Sequence, residues 1–214
     1  MSNTKTVMGQ ASNQYVAPVN VEDVFSTYLY DGNGSTQTIT NGLDLGGEGG
    51  LVWIKKRNES SNSDHMLFDT ERGPNERLRS NTTDRQYTRT DQLNSFDSSG
   101  FTLGGDSPAS PNNSGKEYAS WSFRKAPKFF DVVTYTGDGT TGRAISHNLG
   151  CEVGAIFVKT TSGSSNWYVY NRNLTSANYG LKLNGTDAEA FWGTGNVTDT
   201  TFSFDHQNGS GNTY

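Results

Sequence analysis

The chain has 214 residues, of which 31% are hydrophobic, 18% charged and 12% aromatic, with a formal net charge of −5 and a pI of about 5.1. Gly, Ser, Thr and Asn, the residues of turns and polar strand faces, fill the remainder, while the aromatics supply a core and exclude disorder. An acidic balance with no basic cluster excludes a phosphate-neutralising nucleic-acid surface, no run approaches the roughly 18 apolar residues of a membrane-spanning helix, and the single Cys151 excludes an internal disulfide.

The opening Met1-Ser2-Asn3-Thr4-Lys5-Thr6 lacks the apolar core of a signal peptide. A soluble product of a reducing cytoplasm fits, and a later extracellular life is left open. Residues 1–24 are polar and aperiodic. They read either as an extended attachment arm that orders against a partner or as a frayed terminus.

From residue 24 onward the chain is written twice. The first copy opens with the strand pattern Val24-Phe25-Ser26-Thr27-Tyr28-Leu29-Tyr30 and turns at Asp31-Gly32-Asn33-Gly34. The second opens with Phe130-Asp131-Val132-Val133-Thr134-Tyr135 and turns at Thr136-Gly137-Asp138-Gly139. Ile39 and Leu43 are matched by Ile145 and Leu149. Next comes the clearest unit, Gly50-Leu51-Val52-Trp53-Ile54-Lys55, which returns 104 residues later as Gly154-Ala155-Ile156-Phe157-Val158-Lys159. A short apolar run bounded by glycine and charge predicts a strand buried on both faces.

Further along, His65-Met66-Leu67-Phe68-Asp69 is echoed by Trp167-Tyr168-Val169-Tyr170-Asn171, and Leu78 to Asp84 by Leu181 to Asp187. Phe101 is matched by Phe202, and Ser114-Gly115-Lys116-Glu117-Tyr118 by Ser210-Gly211-Asn212-Thr213-Tyr214. After Tyr118 the first copy continues into an alternating strand, Ala119-Ser120-Trp121-Ser122-Phe123. The second copy stops where that strand would begin. A partner supplies the strand, or the sequence is a fragment of a longer polypeptide; the fragment is the reading taken, because natural proteins avoid an open sheet edge.

The basic stretch Arg124-Lys125-Ala126-Pro127-Lys128 is a linker short enough to hold the copies together. Residues 72–77 and 104–113 form the long loops, and only Asp187-Ala188-Glu189-Ala190-Phe191-Trp192 offers a turn of helix. Six or seven strands in roughly 85 to 105 residues is the size of a β-sandwich. The expected fold is all-β: an N-terminal arm over 1–24 and two tandem β-sandwich-like (jelly-roll or lectin-like) modules over 25–126 and 127–214, the second truncated at its last strand.

Several runs carry a family resemblance: Gly-Leu-Val-Trp-Ile-Lys-Lys-Arg from Gly50, His-Met-Leu-Phe-Asp-Thr-Glu-Arg-Gly from His65, and Ser-Phe-Asp-Ser-Ser-Gly-Phe-Thr-Leu-Gly from Ser95. Ala-Ser-Trp-Ser-Phe-Arg-Lys-Ala-Pro from Ala119 and Val-Val-Thr-Tyr-Thr-Gly-Asp-Gly from Val132 complete the set. Together they resemble repeats in tail-fibre-like virion proteins of marine bacteriophages, cyanophages especially. The resemblance spans about residues 24–214 and marks an architectural module, so it transfers no functional residue. It implies a virion structural protein made in the host cytoplasm and carried on the tail. Residues 1–24 would attach it to other tail proteins, the chain would form a homotrimer, and host-surface glycan or receptor would be the adhesion target. A capsid decoration or head-fibre protein and a glycan-degrading tailspike are the alternatives.

Chemistry-bearing residues are sparse. Cys151 has no thiol counterpart in the first copy and no nucleophile-elbow motif around it, so a catalytic triad is not expected. Asp64, Asp69 and Glu71 around His65 form the densest titratable group, and a glycosidase would need two such carboxylates across a sugar bond. The second copy has Asn166, Asn171 and Arg172 there, which favours a solvated, salt-bridged strand end. His65, His147 and His206 show no metal-ligand spacing. The loop Asp31-Gly32-Asn33-Gly34-Ser35 alternates oxygen ligands as a calcium loop does, but Gly42 stands where an EF-hand needs its bidentate Glu. No catalytic, cofactor or metal site is therefore expected. Trp53 and Trp121 fall on apolar strand patterns and are expected in the core. Trp167 and Trp192, in polar surroundings, are the candidates for stacking on a ligand.

Overall fold

The computed structural model describes residues 19–59, 63–105, 107 and 109–206. Most of the expected arm and the closing Ser210 to Tyr214 lie outside the described residues. The first copy folds as β1 (Phe25–Asp31), β2 (Gln37–Thr40), β3 (Gly50–Lys56), β4 (His65–Asp69), β5 (Glu76–Arg77), β6 (Tyr87–Thr88), β7 (Leu93–Asp97), β8 (Gly100–Leu103) and β9 (Glu117–Arg124). The second folds as β10 (Ile145–Ser146), β11 (Ala155–Val158), β12 (Tyr168–Asn171), β13 (Tyr179–Lys182), β14 (Ala190–Phe191), β15 (Gly193–Val197) and β16 (Thr201–His206). The fold is all-β, and every strand pairing is antiparallel.

In the first copy a sheet ordered β1-β9-β3-β4 faces a sheet ordered β2-β8-β7. Side chains alternate across each strand, so one set from every strand meets in the gap. Tyr30, Ile39, Val52, Ile54, Met66, Phe68, Leu93, Phe101, Leu103 and Tyr118 form that core together with Leu43 and Leu45. β9 is the last strand in sequence yet lies between β1 and β3. It pairs Trp121 with Thr27 on one side and with Trp53 on the other. Its inward residues Tyr118, Ser120 and Ser122 are buried.

The second copy repeats most of the plan. β11-β12-β13-β14 form one sheet and β10-β16-β15 the other. Ile145 pairs with Phe202 as Ile39 pairs with Phe101. Two positions differ. No counterpart of β9 stands among the described residues, and residues 131–135, the counterpart of β1, form no strand. β11 therefore ends its sheet, paired with β12 alone.

Three sequence expectations are corrected. β3 is buried on the Val52 and Ile54 face only, with Leu51 and Trp53 half-covered on the other, and β11 is more open still. The strict period of two sends Trp53 and Trp121 to the outer face, where their rings meet edge to face at 6.4 Å instead of lying between the sheets. Around 187–192 a short strand replaces the helical turn, because Ala190 and Phe191 pair with Gly180 and Tyr179. Tertiary pairing outweighs weak local propensity there.

The copies touch through the outer face of the first. Trp167 is 5% exposed and packs with Leu67 and Leu78, with Leu51, Trp53 and Leu183 around them. Its indole N–H donates to the Arg79 carbonyl at 2.7 Å. Two backbone bonds, Gln86 N–H to Thr161 O at 3.0 Å and Ser165 N–H to Thr83 O at 2.9 Å, add to this seam. At the linker, Lys125 bridges Glu71 at 2.6 Å and Asp131 at 3.3 Å, while Phe123 packs against Phe129 and Phe130. Replacing Trp167 with Ala removes the filler of this seam and takes the indole donor from the Arg79 carbonyl. The expected cost is about 3 kcal/mol in urea unfolding, with Trp167→Phe recovering part of it.

Candidate functional site

The second copy contains a small aromatic cleft, open to solvent, lined by Tyr135, Val158, Tyr168, Trp192, Phe204 and Asp205, with Gly193 and Thr194 at its side. Tyr135 comes from the stretch after the linker, Val158 from the end of β11, Tyr168 from β12 and Phe204 from β16. Trp192 sits between β14 and β15. Its ring centroid lies 5.4 Å from that of Tyr168 and 5.1 Å from that of Phe204. It can reach them because Gly180 presents no side chain: a Cβ there would stand 2.6 Å from the indole. The Trp192 indole N–H is buried and has no hydrogen-bond partner among the described residues. Burial pushes the Tyr135 hydroxyl up to about 12, against the opposing pull of Arg143. The one carboxylate in the lining, Asp205, accepts the Gly142 N–H at 2.8 and 2.9 Å. Such a cleft can stack a flat or apolar group and offer one acceptor at its rim.

Of the two tryptophans expected to stack on a ligand, the structure places only Trp192 here. Trp167 is buried between the copies, where Leu67 and Leu78 already cover it. Tyr135, Tyr168 and Phe204 were not singled out in the sequence. Tyr168 lies on β12 and Phe204 on β16, and Tyr135 joins them only through the fold.

The acidic group around His65 is divided among separate partners. Asp69 is buried and held by Arg72, whose Nε lies 2.6 Å from Oδ2 and whose backbone N–H donates to Oδ1 at 3.0 Å. Glu71 binds Lys125, and Asp64 binds Arg79 at 3.1 Å. His65 accepts the Trp53 indole N–H at Nδ1, 2.8 Å away. Burial, and then the nearby Lys55 charge, hold its pKa below the ordinary value. His147 bonds the Thr198 carbonyl at 3.2 Å. The side chain of His206 lies outside the described residues. Cys151 is a half-buried free thiol in the loop before β11.

In the turn at Asp31 to Ser35, two of the oxygens that could hold a cation already accept from Asn112. Its amide N–H groups donate to Ser35 O at 2.6 Å and to Asn33 Oδ1 at 3.3 Å, and its own Oδ1 accepts from Asn33 N–H at 3.0 Å. A further feature went unread in the sequence. Arg77, Arg79 and Arg89 all place their guanidinium carbons within 5.8 Å of the Tyr87 ring centroid. Arg77 is fully buried, bonding Gln92 at 2.9 Å and the Ala109 carbonyl at 3.2 Å, and burial with its two arginine neighbours lowers its pKa to about 10.

The architecture is that of an all-β protein built from one strand plan used twice. The chain belongs to the family described as a domain of unknown function (DUF7483), whose profile matches residues 20–214. No curated protein and no solved structure matches it.

Two outcomes are expected. Gly180→Ala forces the Trp192 ring aside, costing about 1–3 kcal/mol and shifting the tryptophan emission. For His65 the folded pKa lies below the unfolded 6.5, so its contribution is present above that pH and is lost as the pH falls. The urea midpoint should drop between pH 7 and pH 5, and His65→Gln should flatten that part of the profile.

Proposed function

We propose that this protein is a non-enzymatic virion structural protein of the bacteriophage tail-fibre type, acting in host-surface adhesion. Residues 1–24 attach the chain to tail proteins, and three chains associate around a common axis. The supporting observation is the locked tandem: one sandwich plan used twice, clamped by Trp167 and by the Lys125 pairs to Glu71 and Asp131. Such a clamp suits a part that transmits load and presents polar loops at a fixed spacing. Repeating a weak binding surface on several chains raises avidity without a strong single contact. The motif strings that resemble phage fibre repeats run through both copies and give the reading its context.

The test is the position and copy number of the chain in purified virions, by cryo-EM with labelled residues 1–24. Density on the tail in multiples of three, with the label against a tail protein, is expected. Density spread over the capsid would replace the reading with a decoration protein, and absence from virions would overturn it.

A further inference from the structure

We infer that the joint between the copies is a pH-sensitive latch, released when His65 takes up a proton and can no longer hold the Trp53 indole. This goes beyond the virion reading and does not depend on it.

The joint is built from the same corner of each copy. His65 and Trp167 are counterparts, as are Asn81 and Asn184. In the first copy the His65 N–H donates to Asn81 Oδ1 at 2.9 Å, and the Asn81 amide donates to Asp64 at 2.9 Å. In the second the Trp167 N–H donates to Asn184 Oδ1 at 2.8 Å, and the Asn184 amide donates to Asn166 at 3.0 Å. Both corners serve Trp53. His65 holds it from its own copy, edge to face with ring centroids 5.6 Å apart, and the cluster of Leu67, Leu78 and Trp167 packs against it. One of two equivalent positions in the joint is therefore titratable.

The hydrogen bond fixes the protonation state that the joint requires. An indole N–H is a donor only, so His65 Nδ1, 2.8 Å from Trp53 Nε1, is the unprotonated, accepting nitrogen. In the neutral ring Nε2 already carries a proton, so a second one goes to Nδ1 and opposes the indole N–H. The half-covered Trp53 then loses its acceptor, and its ring must turn toward water to find another.

The charges around His65 carry the same proton's effect to the second indole. Lys55 stands opposite His65 on β3, and Asp64 precedes it. Arg79 bridges Asp64 and Asp84 at 3.1 Å each, and its carbonyl accepts the Trp167 indole N–H. Lys159 of the second copy lies within electrostatic reach of Asp84. An imidazolium beside Asp64 competes with Arg79 for that carboxylate and so disturbs the acceptor of Trp167. Burial and then Lys55 hold the His65 pKa below 6.5, against the pull of Asp64. The joint is therefore locked above that pH and released as the pH falls through the lower folded value.

The experiment titrates the full 214-residue chain from about pH 7 to about pH 5. NMR follows the His65 ring, the Trp53 and Trp167 indole N–H groups and the protection of backbone amides against exchange. Both indole signals should move with the midpoint of His65. Protection of the Gln86 and Ser165 amides, which bond across the seam, should fall by at least about threefold, since a pKa held down by one unit is worth at most about tenfold. At the acid end the Val52 and Ile54 amides of the first core should remain at least about tenfold better protected than the seam, because the joint opens without unfolding the copies. His65→Gln, which keeps an acceptor without the charge, should abolish the step. Indole signals that stay fixed while His65 titrates overturn the proposal, as does seam protection that does not change. Seam and core exchanging at one level of protection overturn it in favour of acid unfolding of the whole chain. A step that persists in His65→Gln overturns it by assigning the release to another group.

Discussion

The architecture of the first copy depends on the insertion of β9 between β1 and β3. A strand at the centre of a sheet satisfies backbone groups on both sides, and the strands flanking it each gain a partner. Because β9 closes the copy from its C-terminal end, the sheet is complete only when the last strand arrives. The side chains of β9 are fitted to that position. Ser120 and Ser122 are small enough for the inner face, and their hydroxyls are satisfied by the Tyr28 carbonyl and the Asn41 amide. Tyr118 donates to the Ser110 carbonyl and accepts the Asn113 N–H, tying the long loop 104–113 to the sheet. Among the described residues of the second copy, β11 pairs with β12 alone.

Ion pairs tie separate elements of the fold together. Asp69 and Arg72 are both nearly buried and close the turn after β4, so each neutralises a charge that would otherwise be costly to desolvate. The more exposed pairs, such as Lys182 with Asp187, contribute little on their own. Arg77 is the unusual case, a guanidinium enclosed within the first copy and shared between the Gln92 side chain and a loop carbonyl. Removing Gln92 would leave that charge with one oxygen fewer in a dry setting, which is how a buried ion becomes a liability.

The two copies have diverged by exchanging one filler for another. Gly180 stands at the place of Arg77, and the Trp192 ring covers it. Met66 is replaced by Tyr168 and Leu103 by Phe204, which widens the rings around the cleft. Each exchange keeps the strand pattern and alters the volume, so the plan survives while the interior changes. The strand plan tolerates this because ladder pairing is a main-chain property, whereas filling the gap is left to the side chains.

From the sequence alone follow the all-β class and the twofold strand pattern. Each of these rests on local period-two alternation, glycine turns and self-similarity. Trp192 was legible as an aromatic in polar surroundings, but its companions were not, since Tyr135 and Phe204 lie far apart in the chain and meet only through the fold. Trp167 carried the same local signal as Trp192 and yet lies buried against Leu67 and Leu78. Which aromatic becomes a seam and which lines a cleft depends on what the other copy brings to it. That contact is long-range, and no local pattern encodes it; only the tertiary structure decided it.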